Sequence, residues 1–264
     1  MQQIVCIVAM QRAGTTALRD ALASTGGILD CGEIFHTHIQ ARNKPTSFFG
    51  FARSNGLKFT DMITEDNAAK VCDEYLAHLK SLAKDRHILI DVKFNSWSVI
   101  CPGWHFVHQS PYFLEFLKKL PSKFILLLRD NIADQILSEQ IAHSARKWHN
   151  LTSADVAPIT VDIERLKVKA RLICLSECFF LENVPVPHRK VFKYETLFLN
   201  DTVNEQAWPE ICDLIGEKIS FDPRYAIRKN QVDKRLAIEN YDEAVASLAE
   251  VAMQIRDDNY GKLT

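Results

Sequence analysis

The chain carries almost no excess of charge of either sign: 32 basic residues against 33 acidic ones over 264 positions leave a formal net charge of −1. Global steering of a polyanion is therefore excluded, no nucleic-acid partner is expected, and any anion site has to be local. Long hydrophobic runs are missing as well. No apolar stretch approaches the roughly 18–20 residues that a membrane span needs. The opening Met1-Gln2-Gln3 has no basic residue, and the apolar run after it is broken at Gln11-Arg12. That is the pattern of a strand, not of a signal peptide, and a cytoplasmic protein is expected. Internal repeats and low-complexity tracts are absent. Seven cysteines form an odd set without repeated spacing, and Cys174 and Cys178 lie four apart in a helix-like run, unlike zinc ligands. Reduced thiols are expected.

What is present is ordinary globular composition, 47% hydrophobic and 25% charged, at a length that suits one α/β domain over residues 1–264. Short apolar runs predict buried strands at Ile4–Ala9, His87–Val92, Phe124–Leu128 and Val191–Phe192. Helical patterns cover Thr15–Ser24, Ala68–Lys84, Pro111–Leu120, Ala133–Lys147, Val161–Glu182 and Tyr241–Ile255. Strands alternating with helices imply a mostly parallel sheet with helices on both faces. Residues 36–67 and 148–160 are read as irregular excursions, which in a compact domain often serve as lids or binding surfaces.

Ile4 to Arg19 runs from strand through tight turn into helix and can be laid on the Walker A frame, G-x-x-x-x-G-K-[ST]. Ala9 takes the first glycine position, Gly14 the second, Thr15 the lysine position and Thr16 the hydroxyl position. The signature lysine is missing, and Arg12 is the one charge in the loop. Gly14 lets the backbone turn, and a helix starting at Thr15 aims its first N–H groups at an anion. The hydroxyls of Thr15 and Thr16 and the guanidinium of Arg12 add donors. The plain alternative is a strand–helix corner with Thr15 as its N-cap.

Lys123 to His143 has the same grammar. A strand ends at Arg129, a helix follows, and Ser138 lies about two and a half turns along. An arginine at the carboxyl end of a central strand projects into the crevice where open α/β sheets bind ligands. A salt-bridged surface arginine and a solvated serine are the alternative.

Gln11-Arg12-Ala13-Gly14-Thr15-Thr16 resembles the 5′-phosphosulfate loop of sulfotransferases that use 3′-phosphoadenosine 5′-phosphosulfate (PAPS). Arg129 through Ser138 resembles their 3′-phosphate motif. The spacing is most similar to bacterial carbohydrate sulfotransferases acting on trehalose or lipo-oligosaccharides. Gly32-Glu33-Ile34-Phe35, Asp91-Val92-Lys93-Phe94, Phe192 to Leu197 and Ile227-Arg228-Lys229 fall in the order of that family's landmarks. The resemblance spans roughly residues 3–240 and implies a P-loop-like fold with PAPS as cosubstrate. Its cofactor-binding residues would be Arg12, Ala13, Gly14, Thr15, Thr16, Arg129 and Ser138, with Arg228 and Lys229 near the 3′-phosphate. Ala13 stands where a serine is commoner, and Asn230 replaces the glycine that follows Arg-Lys in many cytosolic members.

Transfer of a sulfuryl group makes the demands of phosphoryl transfer: in-line approach and stabilisation of a leaving phosphate. The resemblance points to Glu33 as the base for an acceptor hydroxyl; His36 is the second candidate, with its ordinary pKa nearer neutrality. Lys93 would stabilise the transferring group or hold the acceptor. Tyr194 and Glu195 are read as support for the sheet edge. His105 and His108 sit in an aromatic-rich loop suited to the apolar face of a sugar. No metal is implied. A small-molecule or carbohydrate acceptor is expected, and nothing in the sequence fixes the oligomeric state. Two other functions remain open at this stage, a P-loop nucleotide kinase or NTPase and a non-catalytic nucleotide-binding module.

Overall fold

The computed structural model describes residues 2–38, 43–102, 110–147, 152–153, 156–199, 202–216 and 232–260. Five strands form one all-parallel sheet: β1 (Ile4–Ala9), β2 (Ile28–Glu33), β3 (His87–Lys93), β4 (Ser122–Leu128) and β5 (Arg189–Lys193), in the order β2-β3-β1-β4-β5. Helices cover both faces, so this is the α/β architecture expected from the alternating patterns. β1 lies at the centre and all six of its residues are buried. A strand covered on both faces needs a continuous apolar run, and Ile-Val-Cys-Ile-Val-Ala supplies one.

Alternation along the strands divides the core. Cys6, Val8, Ile90, Val92, Phe124 and Leu126 pack against α3 (Glu65–Ala83) and α4 (Tyr112–Lys118). Val5, Ile7, Leu89, Ile125 and Leu127 face α1 (Thr15–Ala23) and α7 (Trp208–Ile215). Leu18 and Leu22 of α1 are completely buried there, each worth about 1.5–3 kcal/mol of hydrophobic stabilisation. A third cluster joins α5 (Ile132–Ser144), α6 (Ile163–Asn183) and α8 (Tyr241–Tyr260) beyond the sheet.

Two expectations need correction. The apolar runs predict no strand between the first helix and residue 36, but Ile28–Glu33 is the edge strand β2. Its sequence, Ile-Leu-Asp-Cys-Gly-Glu, lacks an apolar run, and the register shifts between Asp30 and Glu33 around Gly32 at φ +73°. An edge strand with a bulge needs no continuous hydrophobicity, which hid it. Within the supposed irregular excursion 36–67 lie α2 (Phe48–Ser54), a 3₁₀ turn at Phe59–Met62 and the start of α3. Phe48 and Phe51 anchor α2 in the core, and Ser47 caps it by accepting from the Gly50 N–H.

Because the strands are parallel, their carboxyl ends share one edge. β1 continues through α1 toward β2, whereas β4 continues through α5 and α6 toward β5. The crevice between the ends of β1 and β4 is thus a topological switch point, the usual ligand position in open α/β sheets. Among the described residues, no helix is long and apolar enough to cross a membrane.

Candidate functional site

The turn after β1 is held in an unusual backbone shape. Arg12 has φ +64° and Gly14 φ +85°. A positive φ is uncommon for arginine, and such strain concentrates at functional sites. At Gly14 a side chain is excluded twice over. A Cβ there would meet Phe198 at 2.7 Å and Tyr194 at 2.8 Å, besides the left-handed φ. Gly14, not Thr15, is the N-cap of α1, and no side chain caps this helix. Its leading N–H groups therefore keep the capacity to receive an anion. Ala13 is 1% exposed and belongs to the core cluster that also holds Leu197 and Phe198. The methyl thus belongs to packing, and only the backbone of residue 13 can serve a ligand.

The cation missing from the Walker frame arrives from another strand. Lys93 ends β3 level with Ala9 at the end of β1. Its ammonium donates to Thr15 Oγ1 at 2.5 Å and to Asp91 Oδ2 at 2.9 Å, and lies 3.5 Å from Glu33 Oε1. Lys93 is only 3% exposed, so it is no solvated strand-end lysine. Glu33 closes β2 with 29% of its side chain exposed, and His36 Nε2 stands 4.0 Å from its other oxygen. The two candidate bases are therefore neighbours. Thr16 is exposed at the rim. It joins Arg19, Cys31, Glu33, His36, Lys44 and Ser47 in lining a cleft of about 210 Å³.

On the other side of β1 the two expected anion motifs meet. Arg12 donates through Nε and Nη2 to Ser138 Oγ, both at 3.2 Å, and Arg129 Nη1 donates to the Arg12 carbonyl at 2.9 Å. Arg129 stacks 4.4 Å from the centre of the Tyr194 ring and also bonds Asp134. Tyr194 and Glu195 begin a helical turn, Tyr194–Leu197, after β5 instead of closing that strand. Glu195 accepts from the N–H groups of Asp130 and Asn131, fixing the entry to α5. Burial, with Arg129 close by, lowers the pKa of the Arg12 guanidinium.

Some residues of this neighbourhood were not visible in the sequence. Arg19 is one α-helical turn from Thr15, and reaches Asp91 at 3.7 Å and Asp30 at 3.9 Å; the i, i+4 spacing on α1 was the available signal. Lys234 bonds Asp134 from a hundred residues away, and no local pattern announces that contact. Arg228, Lys229, His105 and His108 lie outside the described residues. No group of three or more potential metal ligands occurs among the described residues.

No family model and no curated protein sequence matches the chain. A solved structure does: the "Sulfotransferase Domain from the Curacin Biosynthetic Pathway", with a TM-score of 0.51 and 15% sequence identity over 97% of this chain and 98% of that one. The fold is that of a sulfotransferase domain. At 15% identity the likeness is one of fold.

Proposed function

We propose that this chain is a sulfotransferase that moves a sulfuryl group from PAPS to the hydroxyl of a carbohydrate or small hydroxylated metabolite. The observation that carries the reading is the meeting of Lys93, Thr15 and Glu33 at the uncapped N-terminus of α1. A buried cation, a helix end that favours anions and a carboxylate thus converge where three parallel strands end.

The residues present suit the cosubstrate. The backbone at Gly14 is bare where a Cβ would collide, and the Thr15 and Thr16 N–H groups with the Lys93 ammonium suit a 5′-phosphosulfate. Arg12, Arg129 and Ser138, joined through each other, suit a 3′-phosphate. Bound there, PAPS supplies an activated sulfuryl group whose bond to the 5′-phosphate breaks as an acceptor oxygen attacks sulfur. Lys93 and the α1 N–H groups would offset the charge growing on the leaving phosphate. Glu33 would take the acceptor's proton, with His36 beside it as the second candidate. The side chains of Thr16, Glu33, His36, Lys44 and Ser47 bring polar groups to the adjoining cleft and suit a hydroxyl-bearing acceptor.

Calorimetry with adenosine 3′,5′-bisphosphate and with AMP tests this reading. The bisphosphate is expected to bind much more tightly, and Arg129→Ala to cost about 1.5–3 kcal/mol, the worth of a charged hydrogen bond. Equal affinity for the two nucleotides would remove Arg129 and Ser138 from the site. Magnesium-dependent turnover of ATP would move the chain to the kinases. A mass-shift screen of candidate acceptors with PAPS then identifies the hydroxyl.

A further inference from the structure

Asp91 is a carboxylate in the middle of an apolar strand, 1% exposed, with a side chain that contributes nothing to the surface. Its Oδ2 accepts from Lys93 at 2.9 Å and lies 3.7 Å from Arg19 Nε, while its Oδ1 has no hydrogen-bond partner among the described residues. Both cations belong to the face of the sheet on which α1 packs. Asp91 and Lys93 point there together because they are two apart on β3, and Arg19 comes down from α1. A buried carboxylate with an orphaned oxygen is a poor stabiliser, and an apolar side chain in its place often serves stability as well or better. Its place in an apolar strand calls for another reason.

We propose that Asp91 is a positioning residue: its buried carboxylate keeps the Lys93 ammonium charged under burial and aimed at Thr15 Oγ1, where that charge meets an anion held at the N-terminus of α1. Without it a lysine as enclosed as Lys93 would be a buried charge lacking its nearest counter-ion, which is costly. The groups that face this ammonium are few. Asp91 lies on its own strand, Glu33 at 3.5 Å on β2 and Thr15 on α1; Arg19 and Asp30 stand behind Asp91. On β1 the Cys6 thiol is held protonated, its pKa raised by burial first and by Asp91 second, so it adds no charge. Glu33 is part-exposed and angled to the cleft, which leaves Asp91 as the fully enclosed counter-ion.

The role of Asp91 can be tested apart from the function proposed above, although its purpose rests on that reading. The titration of Lys93 is followed by the Nζ and Cε resonances of isotope-labelled lysine, assigned with Lys93→Arg, in the wild-type protein and in Asp91→Asn. In the variant the Lys93 titration is expected to move down by about 1–3 units, inside the range seen for buried lysines. Affinity for adenosine 3′,5′-bisphosphate should then fall about 10- to 100-fold between pH 7 and 9.5 in the variant, the scale of one lost charged hydrogen bond, while the wild type stays flat. An unmoved Lys93 titration overturns the proposal, because a purely structural Asp91 would leave it in place. If Asp91→Asn does not fold, Asp91→Glu carries the test. It keeps the charge but displaces the ammonium, so the Lys93 titration should hold while bisphosphate affinity falls about 10-fold or more at every pH; wild-type affinity in that variant overturns the proposal. A wild-type protein that fails to bind the bisphosphate overturns the assigned function instead, and the resonance titration still decides Asp91.

Discussion

Glu33 sits where β2 ends, within 3.5 Å of Lys93 and 4.0 Å of His36, and faces the cleft with part of its carboxylate in solvent. Glu33→Gln keeps size and most hydrogen bonding while removing basicity. Once an acceptor is in hand, kcat is expected to fall by about 10²–10⁴, the usual worth of general-base catalysis, with bisphosphate affinity nearly unchanged. Retention of normal kcat under chemistry-limited conditions would pass the role to His36. A loss of bisphosphate affinity of the same size would show that Glu33 acts instead by holding Lys93.

At the scale of elements, the entry to α5 decides where Arg129 points. Asn131 caps the helix by accepting from the Asp134 N–H at 2.8 Å, and Glu195 accepts from the preceding N–H groups of Asp130 at 2.9 Å and Asn131 at 3.1 Å. Glu195 comes from the turn after β5, so the end of one strand braces the end of its neighbour. Arg256 of α8 adds bonds to the carbonyls of Arg129 and Asp130. Glu195→Ala leaves two donors without their carboxylate and should lower unfolding stability by about 1–2 kcal/mol in urea titrations. It should also weaken bisphosphate binding, because the α5 entry sets the direction of Arg129. An effect on stability with binding untouched would mean that Tyr194, Asp134 and Arg12 position Arg129 without help from Glu195.

For the molecule as a whole, the cysteines report how deep the core is. None forms a disulfide, and Cys6, Cys31, Cys72, Cys174 and Cys178 are buried. Burial pushes the thiols of Cys31, Cys72 and Cys174 up to about 12. The sign follows from which state releases protons. Above about pH 8.5 the unfolded chain ionises these thiols and the folded chain does not, so stability is full below that pH and declines above it, until the folded thiols ionise too. Each thiol should contribute a loss of about 1.4 kcal/mol per pH unit in that window. Urea midpoints measured at pH 8 and at pH 10 check this, and the decline should be smaller by one thiol's share in Cys72→Ala. The same decline with Cys72 removed would mean that its thiol is not shielded in the folded protein.

The central strands were legible because burial on both faces demands continuous apolar runs: β1 was readable from end to end, and β3, β4 and β5 to within about two residues. The edge strand β2 was not, since one half-covered face and a bulge at Gly32 ask for no such run. The long helices and the seven-residue α4 could be read from their apolar patterns, whereas α2, set in a stretch rich in polar and turn-forming residues, and α7 could not. In the candidate site, Gly14 and Arg12 stood out in the sequence because a tight strand–helix turn constrains a few adjacent residues. What only the tertiary structure decided is how distant residues meet. Lys93 reaches Thr15, Asp91 joins Lys93 to Arg19, and Arg12 grips Ser138 because parallel strands far apart in sequence end at one edge. Strand order and register set those meetings, and they depend on how the whole sheet packs, which no local pattern of residues encodes.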